Sequence, residues 1–262
     1  MTSSATQLAV QRLGWIVPQW SGPAAVSAFF TTRDDDVAAA PMVNPGQATS
    51  TLVGKTATPV DSRARLRALL PGDPVVLAQV HGRDVVTIDR GNLQRMLATP
   101  PVADAAMTRT HGVPLVVRTA DCLPVLLSDR AGRVIGVAHA GWRGLASGVL
   151  ESTVAAMGVL PGQLVAWIGP AIGPSAFEVG PDVYDAYCDA DAGATSSFTP
   201  LRAGKWMADL PALARRRLAA VGVPDVSGGH WCTFTDAARF FSWRRDGKAG
   251  RMCLVAWIDH AP

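Results

Sequence analysis

Cys122 and His139, a thiol and an imidazole, stand 17 positions apart in the stretch RTADCLPVLLSDRAGRVIGVAHAGWRG (Arg118–Gly144). Each ends an apolar run, and a polar turn, Ser128–Arg133, separates the runs. A strand–turn–strand arrangement makes such runs neighbours, so the two side chains can approach in space. Their chemistry is then either metal ligation or a thiol nucleophile with its imidazole base. A third candidate, His81, follows an apolar strand in AQVHGRDVV and precedes a glycine. Two imidazoles and a thiolate make three ligands with a fourth position open, the mark of catalytic rather than structural zinc. Spacing alone leaves the plainer alternatives standing, because a cysteine in an apolar strand is commonly a small core residue. His111 and His230 sit in turn-like segments and read as loop residues, and Cys188, Cys232 and Cys253 as buried spectators.

The elements that must position these residues alternate irregularly. Strand patterns cover Ala25–Thr32, Pro74–Val80, Asp84–Asp89, Pro114–Thr119, Pro124–Leu127, Val134–Ala138, Leu164–Ile168, Phe240–Trp243 and Met252–Ile258. Helical patterns cover Asp61–Leu70, Gly144–Met157, Pro181–Ala190 and Asp209–Val221. Val37–Pro59, rich in Ala, Pro, Gly and Thr, reads as a long loop, and Gly169–Pro174 as a Gly/Pro-rich connection. Strands and helices mix without strict βαβ alternation, which points to an α+β fold with mixed sheets rather than a doubly wound one.

Composition excludes several classes. With 48% hydrophobic and 17% charged residues, the 262-residue chain can build a large globular core. A net charge of +3 with scattered basic residues gives no nucleic-acid footprint. Four cysteines without a CxxC pair do not form a disulfide framework. No apolar run approaches the roughly 20 residues that span a bilayer, and no signal peptide is evident, so no membrane partner and a cytoplasmic location are expected. Neither GxGxxG opening a helix nor GxxxxGK[ST] occurs, so those two modes of nucleotide binding have no support.

Five blocks together resemble one family: QVHG (Gln79–Gly82), ADAAMTRTHGVPLVVRTADCLPVLL (Ala103–Leu127), AHAGWRG (Ala138–Gly144), IGPAIGPSAFEVGPDV (Ile168–Val183) and FFSWRRDGKAGR (Phe240–Arg251). They resemble the laccase-domain, or polyphenol oxidase, family, whose members are described as purine nucleoside phosphorylases and some as peptidoglycan editing factors. The resemblance implies one α+β domain over residues 1–262, with layered mixed sheets flanked by helices in an αββα-like order. It implies zinc on His81, Cys122 and His139. It also implies phosphorolysis of adenosine, inosine, guanosine and methylthioadenosine, with adenosine deamination as a further activity. FTTR (Phe30–Arg33) matches the family, and Arg33 with it, but DDDVAAAPMVNPGQAT then departs from the glycine-rich family loop.

Phosphorolysis needs an anion seat, which the planar fork of arginine suits; Arg33, Arg143 and Arg244 are the candidates, with structural salt bridges as their plainer role. Deamination suits a metal-activated water. Asp121, beside Cys122, is either a proton carrier or a turn-orienting residue. The same residues allow two rival functions. A copper polyphenol oxidase is one, since a His/His/Cys set resembles a blue-copper centre, although five histidines are too few for a multinuclear oxygen-reducing cluster. A cysteine hydrolase or amidase acting in peptidoglycan editing is the other, with Cys122 as nucleophile and His139 or His81 as base.

Overall fold

The computed structural model describes residues 4–34, 59–247 and 250–260. Long apolar runs become strands buried on both faces. β6 (Leu123–Asp129), β7 (Ile135–Ala140), β8 (Leu164–Ile168) and β13 (Met252–Ile258) contain buried residues only. A six-stranded mixed sheet runs in the order β12 (Asp225–Gly228), β8, β6, β7, β4 (Ala105–Thr108), β3 (Val85–Ile88). A four-stranded mixed sheet runs β1 (Val26–Phe30), β13, β5 (Leu115–Thr119), β2 (Val75–Val76). The third sheet is small and antiparallel: β10 (Phe198–Arg202), β11 (Lys205–Ala208), β9 (Glu178–Val179).

The two larger sheets pack face to face, because alternate residues of each strand point to opposite sides. Leu126, Ile135 and Val137 of the larger sheet meet Leu115, Val117 and Leu254 of the smaller in one apolar cluster. The other faces are covered by helices. α1 (Ser4–Arg12) and α2 (Pro59–Leu69) bring Val10 and Leu66 onto Val116 and Val255. On the far side α5 (Val149–Met157) and α7 (Leu210–Ala220) pack Val149, Met157, Leu213 and Leu218 against Leu123, Val125 and Leu127. The layers are therefore α/β/β/α, the expected α+β architecture. Gly136 lets α5 lie close on β7, since a Cβ there would come 2.9 Å from Thr153 Cγ2 and 3.1 Å from Met157 Sδ. Two further short helices are α3 (Leu93–Ala98) and α6 (Pro181–Cys188).

Several elements differ from the sequence patterns. The helix expected over Gly144–Met157 is two helices, α4 (Trp142–Ser147) and α5, broken at Gly148, which adopts the left-handed conformation (φ 97°). Phe240–Trp243 is not a strand. Its end starts the short helix α8 (Trp243–Asp246), whose Arg245 N–H is capped by Ser242 Oγ at 3.2 Å. Pro74–Val80 shortens to β2 plus a single bridge from Ala78 to Val102. The Gln79 amide holds the Arg118 N–H and C=O, 2.8 Å each, that a longer strand would pair. Of the spectator cysteines only Cys253 is fully buried; Cys188 and Cys232 are partly buried. The long loop expected over Val37–Pro59 lies, but for Pro59, outside the described residues.

Candidate metal centre

The β6–β7 hairpin pairs Leu123 with Ala140 and Pro124 with His139, so Cys122 and His139 sit at the same end of the hairpin. His81 reaches that end from the turn after Ala78. Its Nε2 lies 3.8 Å from Cys122 Sγ, and its ring centroid 4.9 Å from that of His139. The donor atoms of His81, Cys122 and His139 all lie within 4.8 Å of one another, a group that could hold a metal ion. Gly141 makes room for this convergence: a Cβ there would sit 2.8 Å from Cys122 Sγ and 3.1 Å from His81 Cδ2.

One carboxylate, which sequence patterns passed over, organises both histidines. Asp104 is fully buried. Its oxygens accept the backbone N–H groups of Val80 (3.0 Å), His81 (2.9 Å) and Gly82 (2.7 Å), and the Nδ1–H of His139 at 2.8 Å. Three successive amides wrapped around one anion explain why His81 tolerates a left-handed backbone (φ 61°), a conformation costing on the order of 1–3 kcal/mol elsewhere. The bond from His139 Nδ1–H to Asp104 leaves Nε2 as the ring nitrogen whose lone pair is available to a metal beside Cys122. Burial works to raise the Asp104 pKa, but the hydrogen bonds from His139, Gly82 and Val80 outweigh it and hold the carboxyl below its usual value.

The thiol and imidazole polarise each other. Burial would push the Cys122 thiol up, yet hydrogen bonds from His139 and His81 pull it down to about 6. Burial likewise opposes a charged His139, while Asp104 and Cys122 raise it to about 9. A thiolate facing two nitrogens is a set that suits zinc. Tetrahedral coordination by sulfur and nitrogen separates ligand atoms by about 3.3–3.8 Å, and the Cys122–His81 distance already falls there.

Asp121 precedes Cys122 and is the other non-glycine residue with positive φ (87°) among the described residues. Its carboxylate accepts from Thr233 Oγ1 (2.5 Å), Ser242 Oγ (3.0 Å) and the Arg244 N–H (2.7 Å), tying the Cys122 turn to the start of α8.

The three donors open into a cleft of about 920 Å³. Trp142, Phe177 and Trp243 line it with Arg143 and Arg244, two of the expected substrate arginines. Arg33, the third, does not line it. Its guanidinium donates to the Ala237 carbonyl and packs 5.1 Å from the Phe241 ring centroid. Gln79, Arg118 and Arg251 also line the cleft. All three lie inside or beside the sequence blocks that carry the family resemblance, although no periodicity singles them out. Asp104 left even less signal, as one acid at the head of a short run of small residues. Among the described residues no helix is long and apolar enough to cross a membrane.

Known proteins resemble this chain across the whole site. Residues 27–259 match the family described as "multi-copper polyphenol oxidoreductase laccase". The chain is 45% identical to a purine nucleoside phosphorylase of Pseudomonas aeruginosa, covering 94% of this chain and 98% of that protein. It is 44% identical to purine nucleoside phosphorylase YfiH of Escherichia coli, covering 93% and 98%. Among solved structures, Neisseria meningitidis protein NMB0706 superposes with a TM-score of 0.79 at 40% identity, covering 94% of this chain and 99% of that one. YlmD from Geobacillus stearothermophilus superposes with a TM-score of 0.72 at 27% identity, covering 90% and 93%. The chain therefore belongs to the laccase-like polyphenol oxidase family, together with relatives that are named purine nucleoside phosphorylases.

Proposed function

We propose that this protein is a zinc-dependent purine nucleoside phosphorylase acting on adenosine, inosine, guanosine and methylthioadenosine, with adenosine deamination as a second activity. The observation that carries the reading is one cleft holding a His–Cys–His donor set, aromatic walls and arginines together. Relatives 44–45% identical over nearly the whole chain are named purine nucleoside phosphorylases, which supports the phosphorylase part of the reading.

His81, Cys122 and His139 would hold the zinc, with Asp104 orienting both histidines. Zinc there supplies Lewis acidity and makes water acidic near neutral pH, the chemistry that deamination at C6 requires. For phosphorolysis, a phosphate oxygen bonds to the anomeric carbon as the C–N bond breaks. The purine leaves with the bonding pair and takes up a proton. Trp142, Phe177 and Trp243 give the cleft aromatic lining against which a purine would pack. In this reading Asp121 is a positioning residue, since its oxygens are already occupied by Thr233, Ser242 and the Arg244 amide. A cytoplasmic location goes with such substrates.

The test is chromatography of inosine incubated with the purified protein, with and without phosphate. Hypoxanthine should appear with phosphate and not with Cys122→Ala, and metal analysis should find about one zinc per chain. No base release under either condition removes the phosphorylase reading. Adenosine converted to inosine supports the deaminase activity. One observation favours a second reading: the depressed Cys122 thiol beside His139 also suits a cysteine hydrolase. A covalent adduct trapped on Cys122 of metal-free protein would favour that reading. For a multicopper oxidase, His81–Cys122–His139 is the one candidate ligand cluster among the described residues.

A further inference from the structure

The cleft is one-sided in charge. Among the described residues, Arg118, Arg143, Arg244 and Arg251 line it against a single carboxylate, Asp121. Asp121 makes no ion pair with a cleft guanidinium; its oxygens accept from two hydroxyls and the Arg244 backbone amide. The arginines themselves divide into two kinds. Arg244 Nη1 donates to the Glu178 carbonyl at 3.0 Å, and its guanidinium lies 5.5 Å from the Phe177 ring centroid. Arg251 lies over Trp243, 5.1 Å from the ring centroid.

Arg118 and Arg143 are different. Neither guanidinium makes a hydrogen bond or ion pair with a described residue. Arg143 stacks 4.1 Å from the Trp142 ring centroid, which leaves its N–H edge open. At Arg118 the main chain is what is held: Gln79 Oε1 accepts its N–H and Gln79 Nε2 donates to its C=O, both at 2.8 Å. The clamp fixes the base of this side chain beside the His81 turn, four residues before Cys122. Two guanidinium groups that face one cleft with no unengaged carboxylate among its described lining residues give it a positive field, so the site favours an incoming oxyanion. The guanidinium fork presents paired donors to two oxygens of one phosphate.

We propose that Arg118 and Arg143 form the seat of the phosphate co-substrate, with Arg118 as its anchor. The identity of the ligand rests on the phosphorolysis reading, whereas its binding can be measured without turnover. The zinc-loaded protein is titrated calorimetrically with inorganic phosphate and, separately, with adenosine monophosphate. Wild type, Arg118→Gln and Arg143→Gln are compared. The expected result is phosphate binding by the wild type that weakens about tenfold or more in Arg118→Gln. The melting temperature should not change, because the Arg118 side chain makes no hydrogen bond or ion pair with a described residue. The KM for phosphate should rise by a similar factor while that for inosine moves about threefold at most. Unchanged phosphate binding in Arg118→Gln, or none in the wild type, overturns the proposal. Weakened binding of the monophosphate alone also overturns it, in favour of a nucleotide's own phosphate group. Loss of phosphate binding in a protein that cleaves no nucleoside upholds the seat and removes the phosphorolysis reading instead.

Discussion

Asp104 shows how much chemistry one residue can organise when it is buried among donors. Its two oxygens take three backbone amides and one imidazole, so the His81 turn and the His139 ring are oriented by the same charge. Asn at this position presents an NH2 to donors that need an acceptor, and part of the ring of donors is left unsatisfied. Asp104→Asn should therefore lower zinc affinity by about 10–100-fold, measured by competition with a chromophoric chelator. Unchanged affinity would remove Asp104 from the metal centre. The same assay on wild type has a defined pH course. Asp104 and Cys122, against burial, keep His139 protonated to about 9, whereas Cys122 is a thiolate from about 6. Between those values zinc must displace one proton, so affinity should rise about tenfold per pH unit. The sequence showed His81, Cys122 and His139 by their residue types at strand ends flanked by small residues. It did not show Asp104, because an acid at the head of a short run looks like any solvated one until three chain segments close over it.

At the scale of elements, the β6–β7 hairpin was the most legible part of the site. Two apolar runs around a polar turn announce strand pairing, and the register Pro124–His139 then places Cys122 and His139 at one end. The segment just past His139 was less legible. Gly141 adopts an ordinary helical-entry backbone (φ −61°), so it is glycine for space rather than for conformation. Gly141→Ala should push the new methyl against Cys122 Sγ and His81, costing about 1–3 kcal/mol of stability and most of the bound zinc. Urea unfolding and metal content would check this, and full zinc occupancy would refute it. The break at Gly148 escaped the pattern because α4 and α5 share one apolar rhythm, and only a left-handed residue divides them. The short strands β4, β9 to β12 and the start of α8 were illegible for a related reason. Two to five residues carry too little periodicity, and side-chain caps such as Ser242 decide the outcome.

At the scale of the molecule, stability comes from two sheets pressed together between helical layers. Leu126 is fully buried where they meet, so Leu126→Ala should cost about 2–5 kcal/mol in urea unfolding, well above any surface substitution. A value near zero would place that face outside the core. The α+β class could be read from the sequence because apolar period and turn residues are local properties, written within a few residues of each strand or helix. So could the arginine-bearing and His–Cys–His motifs, as residue types in order. Only the tertiary structure decided which of them meet. Asp104 reaches His139 across 35 residues, Gln79 holds Arg118 across 39, and Asp121 anchors the Arg244 amide across 123. It also turned Arg33 away from the cleft and left Arg118 and Arg143 within it without an ion pair to any described residue. Such convergence is set by how separate layers pack, and no local pattern of hydrophobicity encodes which polar side chains that packing will bring face to face.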